Sequence, residues 1–172
     1  MKQMLFILTM CLFAVGCKKE DSPVSSTTPG QSTTTETDLY MLGKSSMGFV
    51  FYKNTPDTIS KGGNSGHPDA KLRTRYNSIA AKYLDGTGKV KAGTVFPDSS
   101  LIVKELFTNN ALTTYVFLFK KSGDKNADAN GWVWAETSPN GSTMYAASNK
   151  GAGCIGCHAV GIDYTRMNDS HP

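Results

Sequence analysis

Two cysteines and a histidine near the end of the 172-residue chain constrain its fold more than any other feature. They stand in the run Cys154-Ile155-Gly156-Cys157-His158, with 14 residues after the histidine. In this pattern each thiol can add across one haem vinyl group, and the adjacent histidine is placed beneath the iron. The sequence therefore predicts haem c bound by Cys154 and Cys157, with His158 as the iron ligand, and most of the fold must precede this segment.

Two other kinds of site use similar residues. A redox dithiol can also have the order Cys-X-X-Cys-His, but there the motif precedes most of the fold. A zinc site needs a second pair of ligands, and the chain offers only His67 and His171, with no further paired cysteines. Haem is favoured over both alternatives.

The first 17 residues have the layout of a bacterial lipoprotein signal. Lys2 is followed by an apolar stretch over residues 4–15 and then by Gly16 and Cys17. The stretch is shorter than the roughly 20 residues that a membrane-spanning helix needs. We expect removal of residues 1–16, lipid on Cys17, and an exported protein anchored to a membrane and facing the periplasm or the cell surface. An ordinary signal peptide with an incidental Cys17 is the alternative.

The rest of the chain has the length of one domain. Residues 17–38 carry the predicted lipidated cysteine and are rich in Ser, Thr, Pro, Gly and Gln, which predicts a disordered tether. The folded domain is expected over residues 39–172. The net charge of +4 is small and spread along the chain, which argues against nucleic acid as a partner.

Hydrophobic spacing predicts one amphipathic helix over residues 68–85. Leu72, Tyr76, Ile79 and Tyr83 recur at spacings of four, three and four. Pro68 and the following aspartate suit the first turn of a helix, since proline lacks the N–H and a negative charge meets the helix dipole there.

The other apolar runs predict strands. Residues 100–108 and 112–120 are rich in β-branched and aromatic side chains and form a predicted hairpin, and further strands are expected at 132–137 and 143–146. Residues 47–52 are predicted to form either a strand or an extended segment that packs against the core. The predicted fold class is α+β: an antiparallel sheet with an N-terminal amphipathic helix and a C-terminal haem-attachment segment.

The position of the motif bears on the sixth ligand of the iron. In small cytochromes c the attachment lies near the N-terminus, and a methionine far downstream crosses to the opposite face. Here the only later methionine, Met167, lies nine residues beyond His158, which leaves very little chain to circle a haem. His67 is an upstream candidate, with a role at a helix entry as the alternative. We expect an open distal face, which favours small-molecule binding or chemistry over plain electron transfer.

The sequence resembles the cytochrome P-460 family, including its relative cytochrome c-prime-beta. The resemblance is carried by Phe96 to Leu106, by Asn130-Gly131-Trp132, by the attachment motif with Ala159, and by Asp163-Tyr164. The predicted helix with Arg73, Arg75, Tyr76 and Asn77 is also similar, so that the match runs from residue 67 to about residue 165. It implies an α+β domain on an antiparallel sheet, with haem near the C-terminus and a proximal histidine.

Lys104 falls where cytochrome P-460 carries the lysine that is cross-linked to haem, so the resemblance implies the same role here. Strand alternation places Lys104 on the same face as Ile102 and Leu106. Burial there would lower its pKa and favour the neutral, nucleophilic amine. The alternative is a solvent-reaching lysine on an edge strand beside Glu105.

The resemblance implies one of two functions. The family's enzymes oxidise hydroxylamine with help from a distal carboxylate, for which Glu136 and Asp163 are the candidates, with solvation at the surface as the alternative role of each. Its c-prime-beta members cap the iron with phenylalanine and bind nitric oxide or carbon monoxide. Packing in the core is the alternative for the candidate caps, which are Phe49, Phe51, Phe96, Phe107, Phe117 and Phe119.

We therefore expect a haem c protein that oxidises hydroxylamine or a related small nitrogen compound, or binds nitric oxide. A non-catalytic gas-binding or electron-transfer cytochrome is the alternative. A periplasmic redox partner is expected, and a homodimer is compatible with the sequence. Trp132 and Trp134 are expected to pack in the core rather than to conduct electrons.

Overall fold

The structure, a computed structural model, describes residues 31–63 and 65–166. The predicted signal peptide, the predicted lipid attachment at Cys17 and the candidate ligand Met167 lie outside these residues. Within the described part of the chain, no helix has both the length and the apolar character needed to cross a membrane.

An antiparallel β-sheet dominates the fold, which confirms the predicted α+β class. Within residues 31–63 and 65–166 it has seven strands, in chain order β1 to β7: Val50–Phe51, Ile59–Ser60, Lys71–Tyr76, Leu101–Thr108, Ala111–Lys120, Trp132–Thr137 and Thr143–Tyr145. The same residues contain two α-helices, α1, Glu36–Gly43, and α2, Ile155–His158. Short 3-10 turns occupy Tyr52–Asn54, Ala80–Tyr83 and Ala147–Asn149.

The strand order is β1-β3-β4-β5-β6-β7, with β2 also paired to β3. The four predicted strands correspond to β4 to β7 and agree with them to within one residue at each end. The β4–β5 hairpin turns at Asn109 and Asn110, whose φ angles are 52° and 64°. Asparagine tolerates this left-handed backbone, which matches the twist of a two-residue hairpin.

The helix predicted over residues 68–85 is wrong, because Lys71–Tyr76 forms strand β3 and only Ala80–Tyr83 forms a helical turn. Leu72 and Tyr76 are four residues apart, a spacing that shares one face in a strand as well as in a helix. Strand β3 has partners on both sides, and its pairing with β4 runs from Lys71 to Tyr76. Sheet pairing therefore outweighed the helical spacing.

The sheet has a hydrophobic cluster on each face. On β4, Ile102 and Leu106 belong to one cluster, whereas Leu101 and Val103 belong to the other. The second cluster contains Leu39 of α1, so helix α1 covers that face. The first face is the one that the C-terminal segment approaches, through Cys154, Ile155, Ile162 and Tyr164. One face of the sheet therefore packs against helix α1, and the other faces the attachment segment.

The folded unit includes residues that precede the predicted domain boundary at residue 39. Thr35 caps helix α1 in a reciprocal arrangement with Asp38. Thr34 is buried, and its backbone N–H and hydroxyl donate to Asp124 at 3.0 and 2.7 Å. Residues 31–38 therefore belong to the folded unit rather than to the tether.

Asp124 gives a pH-dependent test of this anchoring. Burial by itself raises the pKa of Asp124, but hydrogen bonds from Asn126 N and Thr34 outweigh it and hold the pKa below its ordinary value. The unfolded chain then binds more protons than the folded chain as the pH falls below about 4, so the contribution of the charge to stability is lost there.

We expect Asp124→Asn to lower the free energy of unfolding by about 1–3 kcal/mol at neutral pH, since the carboxylate accepts several hydrogen bonds. Urea unfolding of both proteins at neutral pH and near pH 3 measures the difference. The gap should shrink in acid. An equal gap at both pH values would show that the charge of Asp124 contributes nothing.

Candidate haem-binding site

A row of side chains crosses the sheet on the face that the C-terminal segment covers. Thr74 of β3 pairs with Lys104 of β4, Lys104 with Val116 of β5, and Val116 with Glu136 of β6. Directly paired residues of antiparallel strands point to the same face, and strands lie about 4.8 Å apart. The backbones of Lys104 and Glu136 are therefore about 10 Å apart, with only Val116 between them.

The next row brings the sheet to the attachment motif. It contains Tyr76, Ile102, Leu118 and Trp134. The Trp134 ring meets the His158 ring edge to face, with 5.0 Å between the ring centroids. Trp134 thus packs directly against the predicted iron ligand, and Trp132 is fully buried in the same cluster, as expected for both residues.

Helix α2 is one turn long and presents the three residues of the motif together. Cys154 is its N-cap, and the His158 N–H donates to the Cys154 carbonyl at 3.1 Å. Residues at positions i, i+3 and i+4 share a side of a helix, so Cys154, Cys157 and His158 face the same way. Both cysteines are free thiols; Cys154 is partly buried and Cys157 exposed.

The loop before α2 can approach Trp134 only because residue 151 is glycine. Gly151 has φ of 74°, and a Cβ atom there would lie 2.8 Å from the Trp134 ring. Larger residues are excluded by this contact as well as by the left-handed backbone. The approach of the loop holds Cys154 against the face of the sheet that carries Lys104.

His158 is oriented by a backbone carbonyl. Its Nδ1 lies 2.8 Å from the Tyr164 carbonyl oxygen. A carbonyl can only accept, so Nδ1 carries the proton and Nε2 carries the lone pair that a metal requires. A second hydrogen bond of this kind is typical of histidines that ligate metals.

Asp163 holds the turn that supplies this carbonyl. Asp163 and Tyr164 both have left-handed backbones, with φ of 44° and 65°. The Asp163 carboxylate accepts from Phe96 N at 2.8 Å and from Lys120 Nζ at 3.1 Å, and the charged side chains of that ion pair are each 8% exposed. Asp163 is therefore a buried structural ion-pair partner, and the prediction of Asp163 as a distal carboxylate or a solvated surface carboxylate is wrong.

We expect Asp163→Ala to lower the free energy of unfolding by about 3–5 kcal/mol, because it leaves Lys120 buried without its partner. Thermal and urea unfolding measure the loss. Asp57→Ala removes an exposed carboxylate and is the matched control. A loss for Asp163→Ala no larger than that of the control would contradict the role of the ion pair.

One cavity joins the motif to the lysine row. The described residues that line it are Gly66, His67, Lys104, Glu136, Gly153, Cys154, Cys157, His158 and Arg166. A smaller, mostly apolar cavity adjoins it, lined by Thr74, Ile102, Lys104, Val116, Leu118, His158, Thr165 and Arg166. The structure thus brings six of the sequence candidates together: Lys104, Glu136, His67, Cys154, Cys157 and His158.

The residues present fit a covalently bound haem. Both thiols are free and lie with the imidazole at the wall of one cavity. The His158 tautomer leaves Nε2 as the metal-binding atom. Zinc has no comparable ligand set, since the described residues hold no group of three or more His, Cys, Asp or Glu side chains arranged for a metal ion.

Lys104 is buried, as strand alternation predicts, with 7% of its surface exposed. It lies on an interior strand, and Glu105 points to the opposite face, where it pairs with Arg73 and Arg75. The edge-strand alternative is therefore excluded. Burial and the nearby Arg166 lower the pKa of the Lys104 ammonium to about 8, and Glu136 opposes this shift.

Glu136 is the carboxylate that lines the cavity. Burial and, to a lesser degree, Asp69 raise its pKa, whereas Lys104 lowers it. A carboxyl group with a raised pKa can hold a proton closer to neutral pH than an exposed one. Of the two predicted carboxylates, Glu136 is the one whose position suits proton handling.

The candidate phenylalanine caps lie elsewhere. Phe96 packs between Tyr83 and Trp132, and Phe117 belongs to the cluster on the opposite face. Among the described residues, no phenylalanine lines either cavity. Sequence reasoning missed Arg166, which lines both cavities, because a single arginine after the motif forms no recognisable pattern.

Two thiols and an imidazole on one helical turn, facing a cavity, match the way that proteins attach haem through thioether bonds. The fold and site therefore define a c-type haem protein, whose cofactor is haem c. The family model described as Cytochrome P460 matches residues 67–164. The chain belongs to the cytochrome P460 family. No curated protein and no solved structure matches the chain significantly.

Proposed function

We propose that the protein is a haem c oxidoreductase that oxidises hydroxylamine or a related small nitrogen compound. The observation that carries the proposal is the shared cavity of Lys104, Glu136 and the attachment residues. A haem site for electron transfer alone does not require a buried amine and a carboxylate at the cofactor. A site that removes electrons and protons from a substrate does require a proton acceptor.

Bound haem would supply an acceptor for the electrons and a metal centre at which a small nitrogen compound could react. The residues of the chain then have separate tasks. His158 is held in one tautomer by the Tyr164 carbonyl, and Trp134 limits the rotation of its ring. Glu136 accepts protons that the substrate loses, because its carboxyl group lies at the cavity wall and has a raised pKa.

We assign to Lys104 a covalent bond to the porphyrin. Its burial, its position opposite the motif and its lowered pKa favour the neutral amine that such a bond needs. A bond between Nζ and a porphyrin carbon replaces one N–H and one C–H bond, so two electrons and two protons must leave. A two-electron oxidant of the peroxide class would take them up.

Reversible binding of nitric oxide is the second candidate function. The smaller cavity supports it, because Ile102, Val116 and Leu118 give an apolar wall suited to a diatomic gas. The gas-binding members of the family cap the iron with phenylalanine, but no phenylalanine of the described chain lines either cavity, which favours the enzyme instead. The two candidate functions differ in whether they require Glu136 as a proton acceptor.

Glu136→Gln tests the choice between them. Removing a general base lowers turnover by about 10²–10⁴-fold, so hydroxylamine oxidation should fall by that range while haem attachment remains. Asp57→Asn, an exposed carboxylate outside the cavity, is the matched control and should leave turnover unchanged. Full turnover in Glu136→Gln would refute the role of Glu136. Absence of turnover in the unmodified protein, with reversible nitric oxide binding, would favour the gas binder.

We also propose export and anchoring through a lipid on Cys17, with the haem domain facing the periplasm or the cell surface and a redox partner there. This proposal is supported by residues 1–17, which have the layout of a lipoprotein signal, and by the expectation that a protein with covalently attached haem is exported. Radiolabelled palmitate incorporated by the full chain and lost in Cys17→Ala is the expected result. Equal labelling of both chains would refute the anchor.

A further inference from the structure

Arg166 is a buried cation whose position no feature described so far explains. It is 8% exposed and lines both cavities beside Lys104 and His158. Its Nε is buried and has no hydrogen-bond partner. Arg166 also lies beyond the segment 67–164 that matches the family model.

The charges at the cavity wall do not balance. Arg166 and Lys104 are both more than nine-tenths buried, and none of the four ion pairs among the described residues includes either of them. Glu136 is the one carboxylate among the described residues that line the two cavities. Asp163, three residues before Arg166, is already paired with Lys120. Glu136 interacts with Lys104, whereas Arg166 has no ion-pair partner among the described residues, so an anion in the cavity would stabilise this buried cation.

We propose that Arg166 binds a planar anion with two oxygen atoms in the haem cavity, in the form of a carboxylate or of nitrite. A guanidinium group presents parallel N–H donors in a fixed fork, which matches two oxygens on one carbon or nitrogen atom. Lysine has no such fork. Arg166 therefore supplies both the positive charge and the geometric selection.

Two sources have this chemistry. One is a haem propionate, in which case Arg166 sets the orientation of the ring and the inference rests on the haem site alone. The other is a free anion such as nitrite, in which case the inference rests on the function proposed above. Both sources lose the same bidentate contact when Arg166 is replaced.

The experiment uses the exported holoprotein with Arg166→Gln and Arg166→Lys. Lys125→Gln removes an exposed positive charge and is the matched control. Covalent haem is measured first, after acid extraction, and a wild-type chain without it would refute the haem site itself. Resonance Raman bands of the propionates and the reduction potential then report on the cofactor. Absorbance titration with sodium nitrite, with sodium formate as competitor, reports on a free anion.

If the anion is a propionate, Arg166→Gln shifts the propionate bands and lowers the reduction potential, because a positive charge near the haem is lost. If the anion is free, Arg166→Gln weakens nitrite binding by roughly tenfold or more, the loss expected for a hydrogen bond to a charged group. Arg166→Lys should be intermediate in either case, since it keeps the charge without the fork. Unchanged bands, potential and nitrite affinity in both variants with haem attached would overturn the proposal.

Discussion

We expect the double variant Cys154→Ala, Cys157→Ala to lose covalent haem completely when it is made in a Lys104→Met background, which removes the proposed bond to residue 104. The two thiols lie on one helical turn with His158, and the part of the chain that the structure describes contains no other cysteine. Without the thioether bonds and the bond to residue 104, the haem would be held only by His158 and by contacts with the cavity wall. Acid extraction into organic solvent followed by haem staining of the denatured protein measures the attachment.

The single variants sharpen this prediction. Cys157→Ala keeps the partly buried Cys154 at the cavity wall, so one thioether bond and some haem staining should remain. His158→Met should retain both thioether bonds, because it changes only the iron ligand. Haem that stays through acid extraction with the double variant in the Lys104→Met background would contradict the assignment of Cys154 and Cys157.

The second large effect is expected for Lys104→Met. This change should abolish the bond between residue 104 and the porphyrin, reduce hydroxylamine turnover by at least tenfold, and leave the thioether attachment intact. Methionine has a similar length and no charge, so it fits an apolar site between Ile102 and Leu106 without the cost of a buried ammonium. The stability of the protein should therefore not fall.

Mass spectrometry of a protease digest measures the cross-link directly. In the unmodified protein, the peptide with Lys104 should carry the haem together with the peptide of Cys154 and Cys157. Lys71→Met, on the neighbouring strand but exposed, should preserve that three-way product. Separate recovery of the Lys104 peptide from the unmodified, peroxide-treated protein would refute the bond.

Much of the sheet could be predicted from the sequence because local and long-range preferences agree there. β-branched and aromatic residues fill β4, β5 and β6, and Asn109-Asn110 suits a tight hairpin. Strand β3 could not be recognised in the same way. Arg73 and Arg75 give it a polar face, on which Arg75 is buried and Arg73 is partly exposed, and Glu105 of β4 pairs with both arginines. An ion pair that forms only when two strands pair cannot be recognised from the spacing of hydrophobic residues along one of them.

The candidate site shows the same division. The motif of Cys154, Cys157 and His158 could be recognised directly in the sequence. Alternation along β4 also predicted that Lys104 shares a face with Ile102 and Leu106. The sequence did not show which of Glu136 and Asp163 lines the cavity. The answer depends on the strand register that places Glu136 beside Val116, and on Lys120, which forms an ion pair with Asp163. Arg166 entered the cavity through the turn after the motif, a tertiary arrangement that no spacing along the chain encodes.

The optical spectrum of residues 18–172, exported in a host with c-type haem maturation and recorded oxidised and reduced, tests the central claim most directly. The account predicts a covalently bound haem whose Soret band is strongly shifted to the red relative to that of Lys104→Met. A spectrum identical in the two proteins, with the ordinary features of a c-type haem, would contradict the bond to Lys104. Absence of a haem spectrum would contradict the reading of Cys154 to His158 as an attachment site.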